Sequence, residues 1–482
     1  MMYRTQLPIT ALPAFCKLAD VTFLGAVVRE LDGRGFGLVA DRTLSSEDTC
    51  EVSNLLLVPH DLILSAAFIE EHAKVDHHLR ELLDVAGGQT TRGDILLFLL
   101  LQITIASPGH DRSVGASNSW TEYVKMLPRE VPLPTIWREE ERAILAGTSL
   151  EAPLAAKLKA LHREFDHFRK NTEDVSWCRK CWWEQDILVF TDYLLVDAWY
   201  RSRSLELPFS GESLAPCLDM ANHSSIANSY YEETADQGLS LVLRPDIKVI
   251  AETEITISYG DAKSNAEMLF SYGFIDEVNT CQALTLNLHP LSDDPLGTAK
   301  LAAFNNPPLL KLVEVGDTID WDCPFLYLVC LNDEDGLEFK MQLQVDGSKG
   351  PWRVFWQETD VTENLTAFKD LIADHELKDV FELRVAVILQ DRIREQLERL
   401  YGSEEAVEVL DALSHLQPTR KALALGLRAS EIDLLENTYS SLESQKNNLM
   451  ESPAVLRYLN QMNGSPDDGQ LVADSSEDED FS

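Results

Sequence analysis

The sequence predicts an α+β protein: two strand-like stretches with a long helical stretch between them, followed by a mainly α-helical C-terminal domain. Three observations carry this prediction. Strand-like segments occur at Val21–Leu44 and again at Leu239–Tyr259, the second with apolar and polar side chains alternating at period two. Between them, from Leu55 to Leu205, helical periodicity prevails. From Asn364 to Leu459 long amphipathic helices dominate.

Composition narrows the class of protein. A chain of 482 residues buries a large core and has room for two or three domains. At 45% hydrophobic and 25% charged it is globular rather than fibrous or disordered. Eighty acidic residues against 41 basic ones give a formal net charge of −39. Such a field repels phosphates, which argues against direct nucleic-acid binding and favours basic partners or simple solubility. The first fifteen residues hold Arg4, Pro8 and Pro13 but no continuous apolar block, so no secretory leader is expected. The most apolar run, Ile95–Ala106, is too short to cross a bilayer, and no membrane association is expected. Eight scattered cysteines suit a reducing compartment, the cytoplasm or the nucleus. Cys178 and Cys181 in SWCRKCWW have the spacing of a zinc or redox pair. No second ligand pair lies close by and three tryptophans flank them, so core packing is the preferred reading and no metal is expected.

Taken in order, residues 1–20 are a short lead. Val21–Leu44 brackets the glycine turn Gly33-Arg34-Gly35-Phe36-Gly37, where backbone amides can approach a ligand, although on this motif alone a plain hairpin is the better reading. Asp94–Ala106 is a helix apolar on most sides, Ser107–Ser119 an exposed loop, and Ala152–Lys170 an amphipathic helix with Leu154, Leu158, Leu161 and Phe165 on one stripe. Thr191 is placed to cap the next helix, which ends in Arg201 and Arg203. Leu239–Arg244 reads as a strand, as does Glu254–Tyr259, with Ile255, Ile257 and Tyr259 on one face. Gly260 and Asp261 break that strand, Ser264 with Glu267 forms a capping box for a following helix, and Gly273 stops it. Beyond Asn279 short strand-like runs such as PFLYLVCL and EFKMQLQV precede the long helices Val380–Leu400 and Ile432–Leu449. The end, with five acids among the seven residues Asp474 to Asp480, reads as a disordered acidic tail.

Three motif blocks, GRGFGLVA, PCLDMANHSS and EITISYGDAKSNAEMLFSYGF, together resemble the motifs of SET-domain methyltransferases. Between the first two lie LLFLLLQITIAS, SWTEYVKMLP, PTIWREEE and LAGTSLEA, which resemble the helical insertion of the branch typified by the Rubisco large-subunit lysine methyltransferase. The resemblance is strong over Val21–Asn279 and architectural beyond. It implies a SET domain over 21–279, with its β-rich core at 21–54 and 206–279, a knot-like crossing, and a helical insertion at 55–205. A helical, substrate-binding-like domain over 280–460 and a tail over 461–482 complete the expected organisation.

The resemblance also implies roles. S-adenosyl-L-methionine is the expected cofactor, and a substrate lysine enters from the opposite face through a narrow channel. Tyr259 matches the catalytic tyrosine at the methyl-transfer pore, and Tyr272 and Phe274 match aromatic positions bordering channel and cofactor. Asn222 and His223, on a loop with Asp219, match the cofactor-binding pair, with His223 a positioned binder rather than a general base. Arg34, Gly35 and Phe36 match the N-terminal cofactor loop, where Arg34 and Phe36 depart from the family pattern. Arg203, preferred over its neighbour Arg201, matches the arginine that holds the cofactor carboxylate. The expected function is protein-lysine N-methylation of a non-histone protein, with a basic target such as a component of the translation machinery in view, carried out by a monomer. A SET fold that has lost activity and serves as an interaction module, or a histidine methyltransferase, are the alternatives. The substrate, the degree of methylation and the role of the tail are not readable from the sequence.

Overall fold

The computed structural model describes residues 5–45, 54–109, 113–260, 263–276, 281–316, 318–343, 349–411 and 415–463. Strands Ala26–Leu31 and Gly35–Ala40 form a hairpin paired from Ala26↔Ala40 to Leu31↔Gly35, closed by a turn in which Gly33 takes a φ of 69° that side chains disfavour. Strand Glu254–Ile257 lies antiparallel to Gly35–Ala40, with Ile255 opposite Leu38. On its other edge it runs parallel to the short strand Asn222–His223, Thr256 facing Asn222 and Ile257 facing His223. A second four-stranded sheet orders Thr22–Phe23, Asn54–Val58, Leu239–Leu243 and Ser229–Glu233. Leu38, Leu55, Leu241 and Ile255 are fully buried in a shared core. Truncating one of them to alanine would cost roughly 2–5 kcal/mol.

The expected insertion at 55–205 is helical except at its ends: Asn54–Val58, a short run rich in leucine, is a strand of the second sheet, and Ser204–Leu207 is a strand as well. Thr91–Ile105 buries ten consecutive residues from Ile95 to Thr104, because it is apolar on every side. Asp197, fully buried on helix Phe190–Arg203, faces Arg92 at 2.6 Å and Lys157 and Arg201 at 3.3 Å, which ties three helices together through one carboxylate. A buried carboxylate is tolerated only with such pairing. Thr191 does not cap its helix: the cap is Val189, whose N–H donates to the Asp192 side chain at 3.0 Å. The helix after the third motif block agrees with expectation. Ser264 Oγ accepts from Glu267 N at 3.2 Å, Glu267 Oε2 accepts from Ser264 N at 2.8 Å, and Gly273 ends the helix at a φ of 82°. Cys178 is buried among Trp177, Trp182 and Trp183, and burial pushes its thiol up.

The chain divides into two compact units, residues 1–284 with 399–431, and 285–398 with 432–482. Residues 399–431 of the expected 280–460 domain therefore group with the first unit. Among the described residues the C-terminal region carries two three-stranded sheets besides its helices: Cys281–Asn287, Leu309–Val315 and Thr318–Asp322, then Leu337–Leu343, Lys349–Trp356 and Thr359–Asp360. PFLYLVCL is a helix, Pro324–Val329, rather than a strand: Phe325 to Val329 are all buried, and proline at the first turn suits a helix start. In the second unit the buried Lys300 ammonium donates to Asp294 at 2.6 Å and to the carbonyls of Val329 and Leu331. Among the described residues no helix is long and apolar enough to cross a membrane. Apart from its first three residues, which finish helix Pro453–Asn463, the expected acidic tail lies outside the described residues, as does Asp261.

Candidate active site

The strand pairing brings residues more than 180 positions apart into one site. Glu254, at the start of its strand, accepts from Arg34 Nη1 through one oxygen and from Asn222 Nδ2, at 2.8 Å, through the other. Arg34 Nη2 donates to the His223 carbonyl at 2.6 Å. Arg34 thus braces the Asn222–His223 strand with its side chain. Asn222 Nδ2 also approaches the Phe36 carbonyl at 3.4 Å, while the Phe36 ring is 43% exposed. A Cβ on Gly37 would stand 2.7 Å from Asn222 Nδ2 and 2.5 Å from Leu31 Cδ1, so only glycine lets the amide reach its partners.

His223 is buried. Its Nδ1 accepts from the backbone N–H of Tyr259 at 3.0 Å, which leaves the proton of the neutral ring on Nε2, 3.3 Å from Asp276 Oδ2. Burial lowers its pKa from the ordinary value of 6.5, with Asp276 opposing the shift. With both nitrogens engaged, His223 positions the chain and is no general base. Its ring sits 5.3 Å from Tyr259 and 5.9 Å from Phe274. Because Phe274 and Asp276 follow helix Asn265–Tyr272, these contacts hold the segment after that helix against the Asn-His loop.

Tyr259 donates its hydroxyl to the Ala221 carbonyl at 2.8 Å. Burial pushes its pKa well above the ordinary tyrosine value, so the group stays protonated with its lone pairs unspent. Tyr272 packs beside it with ring centroids 4.6 Å apart. Both rings line a cavity of about 350 Å³ with Arg203, Asp219, Tyr231 and Lys263, and Glu206 and Glu212 of hairpin Ser204–Leu214 line it too.

Asp219 is buried, and its two oxygens are taken by the Tyr123 hydroxyl and by Arg203 Nε at 3.2 Å. Tyr123 in turn accepts from the Cys217 N–H at 3.0 Å. Asp219 therefore orients Arg203 from the cavity wall. Arg203 Nη1 bonds Ser202 Oγ at 2.7 Å. Arg201, the alternative, is committed to Asp197 and stacks over Phe270 at 4.5 Å, and it does not line the cavity.

Of the residues singled out from sequence, Arg203, Asp219, Tyr259 and Tyr272 line the cavity. Asn222, His223 and Phe274 stand directly behind it, while Arg34, Gly35 and Phe36 lie along the adjoining hairpin. Sequence reasoning missed Tyr123, Lys263, Glu254, Asp276 and Tyr231. Tyr123, Glu254 and Lys263 lie inside quoted motif blocks, but their partners are set by tertiary contacts. Among the described residues one trio has metal-ligand spacing, Asp76, His77 and His78. Asp76 is spent capping His78 and Leu79 and on the Ala116 N–H, and His78 Nδ1 accepts from Gly115.

A hairpin, a two-residue parallel strand beside Glu254–Ile257, and a return of the chain against the Asn-His loop together define a SET domain. No family model matches the chain. It is 28% identical over 351 residues to SET domain-containing protein 8 of Schizosaccharomyces pombe, spanning 71% of this chain and 75% of that one. It is 26% identical to the ribulose-1,5 bisphosphate carboxylase/oxygenase large subunit N-methyltransferase of Nicotiana tabacum (66% and 62%) and 26% identical to the actin-histidine N-methyltransferase of Xenopus tropicalis (59% and 46%). Its fold is similar to that of Rubisco LSMT bound to AdoMet, with a TM-score of 0.65 at 20% identity over 96% of this chain and 98% of that one. The chain thus has the fold of the SET-domain Rubisco LSMT structures, and its sequence is similar to SET-domain proteins and N-methyltransferases of that branch.

The cofactor this family implies is S-adenosylmethionine, and the residues fit it. Arg203, paired with Asp219 through Nε and bonded to Ser202 through Nη1, lines the cavity with a guanidinium suited to a carboxylate, and His223, Phe274 and Phe36 offer rings along the adjoining face.

Proposed function

We propose that this protein is an S-adenosylmethionine-dependent protein N-methyltransferase whose acceptor is a lysine of a basic, non-histone protein. The observation that carries the reading is the Tyr259 hydroxyl, fixed on the Ala221 carbonyl and facing a cavity walled by Tyr231 and Tyr272. The bound cofactor supplies an electrophilic methyl group on a sulfonium; the chain's task is to align and desolvate the acceptor. Arg203, held by Asp219 and Ser202, anchors the cofactor carboxylate. Tyr259 donates its proton to Ala221, so its lone pairs are free to accept weak C–H···O contacts and to orient the attacking nitrogen. The aromatic wall disfavours a charged amine, so the lysine sheds its proton to solvent before attack. Glu206 and Glu212 at the cavity, and the net charge of −39, suit a cationic side chain on a basic protein, with the translation machinery a reasonable source. We place the protein in the cytoplasm or nucleus on its scattered cysteines, of which six among the described residues are free.

A second reading is histidine methylation, favoured by the relatives named as actin-histidine N-methyltransferases. Incubation of the purified protein with labelled S-adenosylmethionine and a cell lysate tests the proposal. Mass spectrometry of the labelled peptide then distinguishes methyl-lysine from methyl-histidine.

A further inference from the structure

Lys263 takes an unusual place for a lysine. It follows the turn at Gly260 (φ 137°), and its side chain folds back over that turn: a Cβ on Gly260 would stand 3.2–3.3 Å from its Cδ, Cε and Nζ. Its ammonium donates to the main-chain carbonyl of Tyr259 and to the hydroxyl of Tyr272 at 2.9 Å, and it sits 5.0 Å from the centre of the Tyr272 ring. Both hydrogen-bond acceptors are neutral, so its positive charge remains at the wall of the cavity. A lysine on a flexible four-carbon stem is costly to order, and the Tyr272 hydroxyl and cavity wall are where it is ordered.

We infer that Lys263 is a positioning residue of the acceptor channel. This rests on the methyltransferase reading above. Its ammonium fixes Tyr272 beside Tyr259, and its charge favours the neutral form of an amine that enters between them. Among the described residues, the other charged and titratable groups around this cavity are Arg203, Asp219, Glu206, Glu212, Tyr231, Tyr259 and Tyr272. Asp219 and Arg203 pair with one another, and Glu212 shares a hydrogen bond with Tyr200. Burial raises the pKa of Tyr231 and of Tyr259, which keeps both protonated. Glu206 and Glu212 attract a cation to the cavity and hold its proton, whereas Lys263 opposes a second ammonium beside Tyr272. Glu206 and Glu212 thus draw a cation into the cavity, and Lys263 favours loss of its proton beside Tyr272, which attack on the sulfonium methyl requires. No bond to Lys263 forms or breaks; the amine's proton leaves to solvent.

The test is the pH profile of kcat at saturating cofactor, on a synthetic peptide of the segment modified in the lysate experiment, for wild type, Lys263→Met and Lys263→Arg. Removing a nearby cation raises the pKa of the bound amine. The ascending limb of Lys263→Met should therefore move to higher pH by about one unit, and Lys263→Arg should keep the limb near its wild-type position. Calorimetry showing wild-type cofactor affinity in both variants establishes that they are folded. A Lys263→Met profile lowered evenly at every pH, with its limb unmoved, overturns the inference and leaves the methyltransferase reading standing. An equal limb shift in Lys263→Arg also overturns it. A wild type that transfers no methyl group removes both.

Discussion

The Tyr259 hydroxyl is held by one hydrogen bond to Ala221 O, and Tyr259→Phe removes both that bond and the lone pairs facing the cavity. With the fold preserved, kcat should fall about a hundredfold, measured with saturating cofactor. The Cys217–Tyr123–Asp219–Arg203 chain makes a different prediction. Tyr123→Phe leaves Asp219 and the Cys217 N–H short of a buried partner, at a cost of about 1–3 kcal/mol. Calorimetry should show cofactor affinity weakened several-fold as Arg203 loses its support. His223 carries a pH signature. Its folded pKa lies below 6.5, so the unfolded chain takes up a proton first as pH falls. The stability it contributes is complete above the unfolded value and is lost as pH drops through the folded one. Thermal unfolding of His223→Gln, whose amide oxygen can still accept from Tyr259 N, should show a smaller loss of Tm below pH 6.5 than wild type.

At the scale of elements, the hairpin Ala26–Ala40 and the strand Glu254–Ile257 act as one support for the Asn-His loop. Gly37→Ala inserts a methyl 2.7 Å from Asn222 Nδ2 and 2.5 Å from Leu31 Cδ1. It should lower cofactor affinity about tenfold, read by calorimetry, by displacing the Asn222 amide. Helix Pro418–Met450 supplies Glu431, which accepts from Ser149 N at 2.9 Å and from Ser149 Oγ. Burial pushes its carboxyl up to about 7, against the lowering effect of Ser149 and Arg428. An acid raised in the folded state stabilises fully below its unfolded value near 4.5, and that contribution is lost as pH rises to 7. Glu431→Gln should therefore lose less stability than wild type between pH 4.5 and 8, by about 3 kcal/mol at most, as followed by denaturant unfolding. Much at this scale was legible in the sequence. The 254–257 strand, the Ser264–Glu267 box and the Gly273 stop are local signals, each complete within a few residues. Thr191 misled because a hydroxyl is a good cap, whereas the helix is capped at Val189 and starts at Phe190, with Asp192 reaching back. PFLYLVCL misled because a short, wholly apolar run fits a buried helix as well as a strand.

At the scale of the whole molecule, the sequence pointed, through three ordered motif blocks and Arg203 at the end of the insertion helix, to residues that lie at or beside one cavity. What it could not show is how they are joined. Arg34 to Glu254 spans 220 residues, Arg34 to His223 spans 189, and Tyr123 to Asp219 spans 96, and such pairings leave no periodicity to read. Arg34, a departure from the family pattern, proves to brace the loop it was expected to border. The division of the C-terminal half was equally hidden, because residues 399–431 differ from their neighbours in partners rather than in pattern. The net charge of −39 carries its own consequence. KM for the protein substrate should rise between about 50 and 300 mM salt while kcat changes little, as screening shortens the reach of the acidic field. The most direct measurement of the central claim is transfer of label from S-adenosylmethionine to lysate protein by wild type and by Tyr259→Phe, both shown by calorimetry to bind the cofactor. The account predicts a discrete labelled protein carrying methyl-lysine with wild type and nearly none with Tyr259→Phe. Equal labelling by the two proteins, or none by wild type, would contradict it.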